Sequence, residues 1–139
     1  MEFGLGFALA GAAGDYANLA VSPDGTRLVT VRRDSGRSRL VVRRRDQLEV
    51  TDVPGTDNAF NPSFSPKGDR VVFMSGPAIR IVDLAGGLPT LVTDSMVGVP
   101  GLAWGHDGYI YFDRIGAGPL MRIRETGGMS EAVSTIDSA

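Results

Sequence analysis

The chain has 139 residues, 42% of them hydrophobic, and a formal net charge of −2 at pH 7. That is one domain of ordinary size with enough apolar material for a packed core. The near-neutral balance excludes a whole-molecule attraction to nucleic acid or an acidic membrane, and the lack of cysteine excludes disulfides and thiolate metal sites. No stretch approaches the roughly 20 apolar residues of a membrane span, so no membrane insertion is expected.

Residues 1–15 read as an N-terminal arm. Phe3, Leu5, Phe7 and Leu9 alternate with Gly4, Gly6 and Ala8, the period of a strand with one buried face. Glu2 stands where an export signal carries positive charge, and Gly4 and Gly6 interrupt the apolar run.

Three similar units follow, at 16–55, 56–95 and 96–139. The central one is the clearest. Its first strand is expected at 61–64. Ser65-Pro66-Lys67-Gly68 is then a turn: serine hydrogen-bonds forward, proline presets its backbone angle, and glycine closes where a side chain is strained. The run Val71 to Met74 marks a second strand at 70–75, apolar on both faces. Ile79, Arg80 and Ile81 alternate as a third strand at 78–83. Gly86-Gly87 turns the chain into an outermost strand at 90–93. In the first unit strands are expected near 18–21, 27–31, 39–43 and 48–52, and in the third near 102–104, 109–113, 120–124 and 132–135.

The spacing decides the fold. Ser22-Pro23-Asp24-Gly25 recurs 43 positions later as Ser65-Pro66-Lys67-Gly68, and 40 positions after that as Gly105-His106-Asp107-Gly108. Gly86-Gly87 recurs 41 positions on as Gly127-Gly128. Four strands per unit at a period of about 40–45 residues is the pattern of a β-propeller blade. The predicted fold is all-β: three four-stranded antiparallel blades, half of a six-bladed ring.

The stretches NLAVSPDGTRLVTV, RDQLEVTDVPGTDNAFNPSFSPKGDRVVF, IVDLAGGLPTLV and LAWGHDGYIYF resemble TolB-like (WD-repeat-like) propellers. The nearest resemblance is to the version attached to bacterial receptor-type serine/threonine protein kinases. It implies a sensor or interaction domain outside the cytoplasmic membrane, with no cofactor and no chemistry of its own. The kinase motifs are absent, and the chain departs from the usual six blades in having three. Three blades leave a bare apolar face at each end. A second copy related by a two-fold axis closes the ring, blade one of each against blade three of the other. Phe3, Leu5, Phe7 and Leu9 are the expected fastener, adding the arm as a strand to the partner's blade three.

Catalytic and metal chemistry find no foothold. His106 is the only histidine, sits in a turn, and has no second histidine or thiol to ligate with. Asp24 and Asp107 are equivalent turn positions, but Lys67 fills that place in blade two, and Asp69 lies elsewhere; turn formation explains them better than a repeated cation site. There is no G-x-S-x-G and no phosphate-binding loop. Arg32, Arg33, Arg39, Arg43 and Arg45 form a candidate patch for an anion or an acidic partner. Nearby acids can pair with it, and no interleaved aromatic offers a base-stacking platform, so nucleic acid is not expected. Asn58, Asn61 and Arg114 are the polar candidates at the channel mouth, where propellers most often meet a protein or small-molecule ligand. The expected function is a non-catalytic binding or sensor module that homodimerises. The alternatives are an accessory propeller piece of a peptidase-type hydrolase, or an excised or engineered propeller fragment.

Overall fold

The computed structural model describes residues 18–94, 101–113 and 119–133. The first sheet holds β1 (Leu19–Val21), β2 (Arg27–Asp34), β3 (Arg37–Arg44) and β4 (Val50–Asp52). The second holds β5 (Ala59–Phe64), β6 (Arg70–Ser75), β7 (Ala78–Asp83) and β8 (Thr90–Thr93). The third holds β9 (Leu102–Trp104), β10 (Tyr109–Phe112), β11 (Met121–Arg124) and β12 (Glu131–Ala132). Strands follow chain order across each sheet and every neighbouring pair is antiparallel. β5 touches both β1 and β9, so the first strands of the blades lie side by side. This is the expected three-bladed propeller arrangement.

The turn between first and second strands shows why the blades form. In blade one Gly25 N donates to Ser22 O at 2.9 Å, and in blade two Gly68 N donates to Ser65 O at 2.8 Å. Both glycines have positive φ (74° and 76°), which a side chain resists. The serine hydroxyls complete the turn. Ser22 Oγ accepts from Arg27 N and donates to Asp24 Oδ1; Ser65 Oγ accepts from Arg70 N and donates to Asp69 Oδ1. Blade three has Gly105 there, and Asp107 Oδ1 takes the amide of Tyr109 at 3.1 Å instead.

Period-two alternation then builds two seams. Val71 and Phe73 of β6 face blade one, packing with Val29, Val31, Leu40, Phe64 and Val82. Val72 and Met74 point the other way, with Ile79, Ile81, Trp104, Ile110, Phe112 and Ile123. Each fully buried side chain contributes about 1.5–3 kcal/mol. The connection between blades one and two is pinned by Thr56, whose buried Oγ1 donates to Val53 O at 2.6 Å and accepts Leu40 N at 3.0 Å.

Several details differ from the sequence reading. β2 and β3 extend to Asp34 and Arg37, because Ser35 and Gly36 both take positive φ (51° and 77°) in a two-residue hairpin turn. β5 begins at Ala59, not at residue 61, and is irregular between Phe60 and Ser63, where a bulge accommodates Pro62. The end faces are unequal. Leu19 and Val21 are 46% and 39% exposed at the blade-one end. At the other end an apolar face was expected, but Tyr109, Tyr111, Arg122, Arg124 and Glu131 share the outward face of blade three. Arg122 there lies over the Tyr109 ring at 4.1 Å and bonds Glu131 Oε1 at 2.9 Å. The polar side chains correct that expectation. The proposed fastener residues Phe3, Leu5, Phe7 and Leu9 lie outside the described residues.

Candidate functional site

One backbone bond recurs in all three blades. Arg45 N donates to Thr26 O, Leu84 N to Asp69 O, and Glu125 N to Gly108 O, at 2.7, 3.0 and 3.0 Å. It fixes the turn after the third strand against the turn after the first. Arg27, Arg70 and Tyr109 open the second strand of their blades beside that bond. Arg27 Nη1 reaches across the seam to Gly68 O at 3.4 Å.

At the seam between blades two and three the same reach builds a polar cluster. Arg70 Nη2 donates to Glu125 Oε1 at 3.3 Å, and Trp104 Nε1 donates to Glu125 Oε2 at 2.9 Å. The Arg70 guanidinium lies over the indole, 4.6 Å from the ring centroid. Trp104 is 8% exposed and packs in the core beneath. Above it opens a cleft of about 340 Å³, with Ser65, Lys67, Asp69 and Arg70 on one lip and His106 and Glu125 on the other. That volume falls at the low end of small-molecule sites.

The carboxylates here are engaged. The Ser65 hydroxyl holds the Asp69 carboxyl below its usual range, and the Tyr111 hydroxyl does the same to Asp107. Asp24, in the matching turn of blade one, is lowered to about 2, chiefly by the Ser22 and Thr26 hydroxyls. Ser65 commits its proton to Asp69, so it is not poised as a nucleophile with His106. Among the described residues no group of three or more His, Asp or Glu side chains gathers to hold a metal.

The residues singled out from the sequence are placed as follows. Asn58 is exposed, has φ 63°, and donates its backbone N to Ser38 O at 2.7 Å. Asn61 is 3% exposed, with φ 57°, inside the irregular part of β5, so it offers a ligand almost no surface. Arg114 lies outside the described residues. The arginines do not form one patch. Arg32 and Arg39 sit opposite each other in register, while Arg33 points to the other face. Arg39 Nη1 binds Asp52 at 3.1 Å, with Asp57 at 3.9 Å. Arg43 is buried and donates Nε to Gln47 O at 2.9 Å, and Arg45 stands exposed in the following turn. His106 is exposed on the cleft rim. Arg70, Trp104 and Glu125 join the site only through the fold. The available signals were the shared strand-opening position of Arg27 and Arg70 and the single tryptophan.

No protein-family model matches the chain, and no curated protein matches its sequence. Solved structures do. A TolB-type protein from Agrobacterium tumefaciens superposes with a TM-score of 0.66 at 21% identity, over 81% of this chain and 47% of that one. TolB from Acinetobacter baumannii gives 0.65 at 16% identity, over 83% and 31%. The β-propeller domain of the Trilobed protease from Pyrococcus furiosus gives 0.62 at 14% identity, over 87% and 43%. The fold is therefore that of the TolB-like β-propellers. The chain spans less than half the length of each of these structures. The narrower resemblance to kinase-attached sensor propellers finds no support among them.

Proposed function

We propose that the chain is a binding module without chemistry of its own, half of a six-bladed ring that a second copy completes. The observation that carries this reading is the stack itself. Three blades bury both faces of the middle sheet, while on the face of blade one whose counterparts, Phe64 and Trp104, pack against a preceding blade, Leu19 and Val21 stay open along the first strand and Leu28, Thr30 and Val41 beside them are buried. Ring closure sets that face against Tyr109, Tyr111 and Arg122 of the other copy. The resulting seam is polar at its edge, as the Arg70–Glu125 seam already is. Likeness to TolB proteins supports a place outside the cytoplasmic membrane; among the described residues no helix is long and apolar enough to cross one.

Light scattering across a dilution series tests the reading. The expected mass is twice the 14.7 kDa of one chain. A monomer at every concentration overturns ring closure by self-association. The likeness to a protease propeller favours a second reading, an accessory piece of a hydrolase. In that case the open face binds further blades or a catalytic unit, and the isolated chain stays monomeric.

A further inference from the structure

We infer that the cleft between blades two and three binds a small oxyanion, a carboxylate or a phosphate, through Lys67, His106 and the free edge of Arg70. The inference rests on the reading of the chain as a binding module, but not on ring closure.

The repeat supplies the argument. The turn after the first strand reads Ser-Pro-Asp-Gly in blade one, and its side chains hold the turn together. Asp24 takes the amide and hydroxyl of Thr26 and the hydroxyl of Ser22. Two residues at matching positions in later blades give up such turn-forming roles. Lys67 replaces the aspartate in blade two, where Asp69 takes over the serine hydroxyl. His106 replaces the proline in blade three, giving up the preset backbone angle. The two departures belong to different blades, 39 positions apart in sequence. The fold brings both to one cleft, on opposite lips. Each exchanges a turn former for a side chain with N–H donors.

The charges around them select the ligand. Two acids line the cleft: Glu125 accepts from Trp104 and Arg70 through separate oxygens, while Asp69 accepts from Ser65 through Oδ1 and lies close enough to Lys67 for their charges to interact. Among the described residues no hydrogen bond or ion pair engages Lys67 or His106. Arg70 uses one terminal nitrogen on Glu125 and keeps further N–H groups. Three N–H-bearing side chains with hydrogen-bonding capacity to spare converge on one cleft, and charge-assisted bonds to carboxylate or phosphate are the strong ones.

Trp104 is the only tryptophan and forms the floor of the cleft, so its fluorescence reports occupancy. The intact chain is titrated with succinate and separately with inorganic phosphate, at constant ionic strength set with sodium chloride. The expected result is a saturable change, half-complete at or below about 1 mM, for at least one of the two. Which one saturates identifies the head group. A Lys67→Ala, His106→Ala double variant removes both N–H-bearing side chains at two exposed turn positions and leaves the Ser65–Asp69 bond in place. It weakens binding by about tenfold or more, the loss of one to two charge-assisted hydrogen bonds, with an unchanged unfolding midpoint. A linear response to both anions overturns the inference, as does an equal affinity in the double variant. Neither result alters the mass measured by light scattering, so failure here is distinct from failure of ring closure.

Discussion

The guanidinium of Arg70 lies over the indole of Trp104, 4.6 Å from its centroid, although the two residues belong to different blades. Glu125 accepts from both and closes the group. The seam between blades two and three thus has a polar lock at its rim and an apolar core beneath.

Glu125→Ala removes the acceptor of a nearly buried indole N–H and is expected to cost about 1–2 kcal/mol. Glu125→Gln keeps an oxygen for Trp104 and loses only the ion pair. That pair is partly solvated, with side chains 36% and 28% exposed, so the amide variant is expected to lose under about 1 kcal/mol. Urea unfolding followed by Trp104 fluorescence separates the two. Equal losses would mean that the charge, not the indole bond, holds the seam.

Thr56 bridges Val53 O and Leu40 N inside the first seam. Thr56→Val leaves the Leu40 amide buried without an acceptor and is expected to cost about 1–3 kcal/mol, whereas Thr56→Ser stays near neutral. Hydrogen exchange at the Leu40 amide checks the cause: protection falls in the valine variant alone.

Gly55 and Gly25 both adopt positive φ, 79° and 74°. They differ in what surrounds them. A methyl group at Gly55 lands 2.6 Å from Cδ of Pro89, while one at Gly25 meets nothing within 4 Å. Gly25→Ala incurs backbone strain alone, about 1 kcal/mol, and Gly55→Ala is expected to lose clearly more. Matched thermal melts decide it, and equal shifts would contradict the crowding.

Asp24 gives the acid limb of stability a specific contributor. Its folded carboxyl is lowered from 3.8 to about 2, so its contribution is complete above pH 3.8 and drains away as pH falls toward 2. Asp24→Asn removes that pH dependence, and its stability relative to wild type improves as pH falls across this window. Chemical denaturation at pH 5, 3.5 and 2.5 follows the convergence. A constant difference would refute the role of the carboxylate.

The blades were legible because their signals are local. Proline, glycine and serine at fixed offsets specify a turn within four residues, and period-two apolar runs specify the strands on either side. The seams were not. Arg70 and Glu125 stand 55 positions apart, and nothing in either neighbourhood marks them as partners. Asn61 misled for a related reason. Next to Pro62 it resembles a loop residue, yet asparagine tolerates the positive φ that lets β5 bulge and turn it inward. The arginine-rich stretch looked like one patch because a string of letters hides the pleat: Arg32 and Arg33 are neighbours in sequence and point to opposite faces of the sheet.

The recurring amide bond made by Arg45, Leu84 and Glu125 uses main chain alone, so the bond itself asks nothing of its donor's side chain beyond excluding proline. The three blades carry a cation, an aliphatic group and an acid there, each held by the same main-chain bond and each spent differently. A duplicated unit can therefore diverge from its sibling one substitution at a time, each copy still holding together while its border with the next is rewritten. Individuality in this molecule resides at the borders between blades, and the interior of each blade can stay generic.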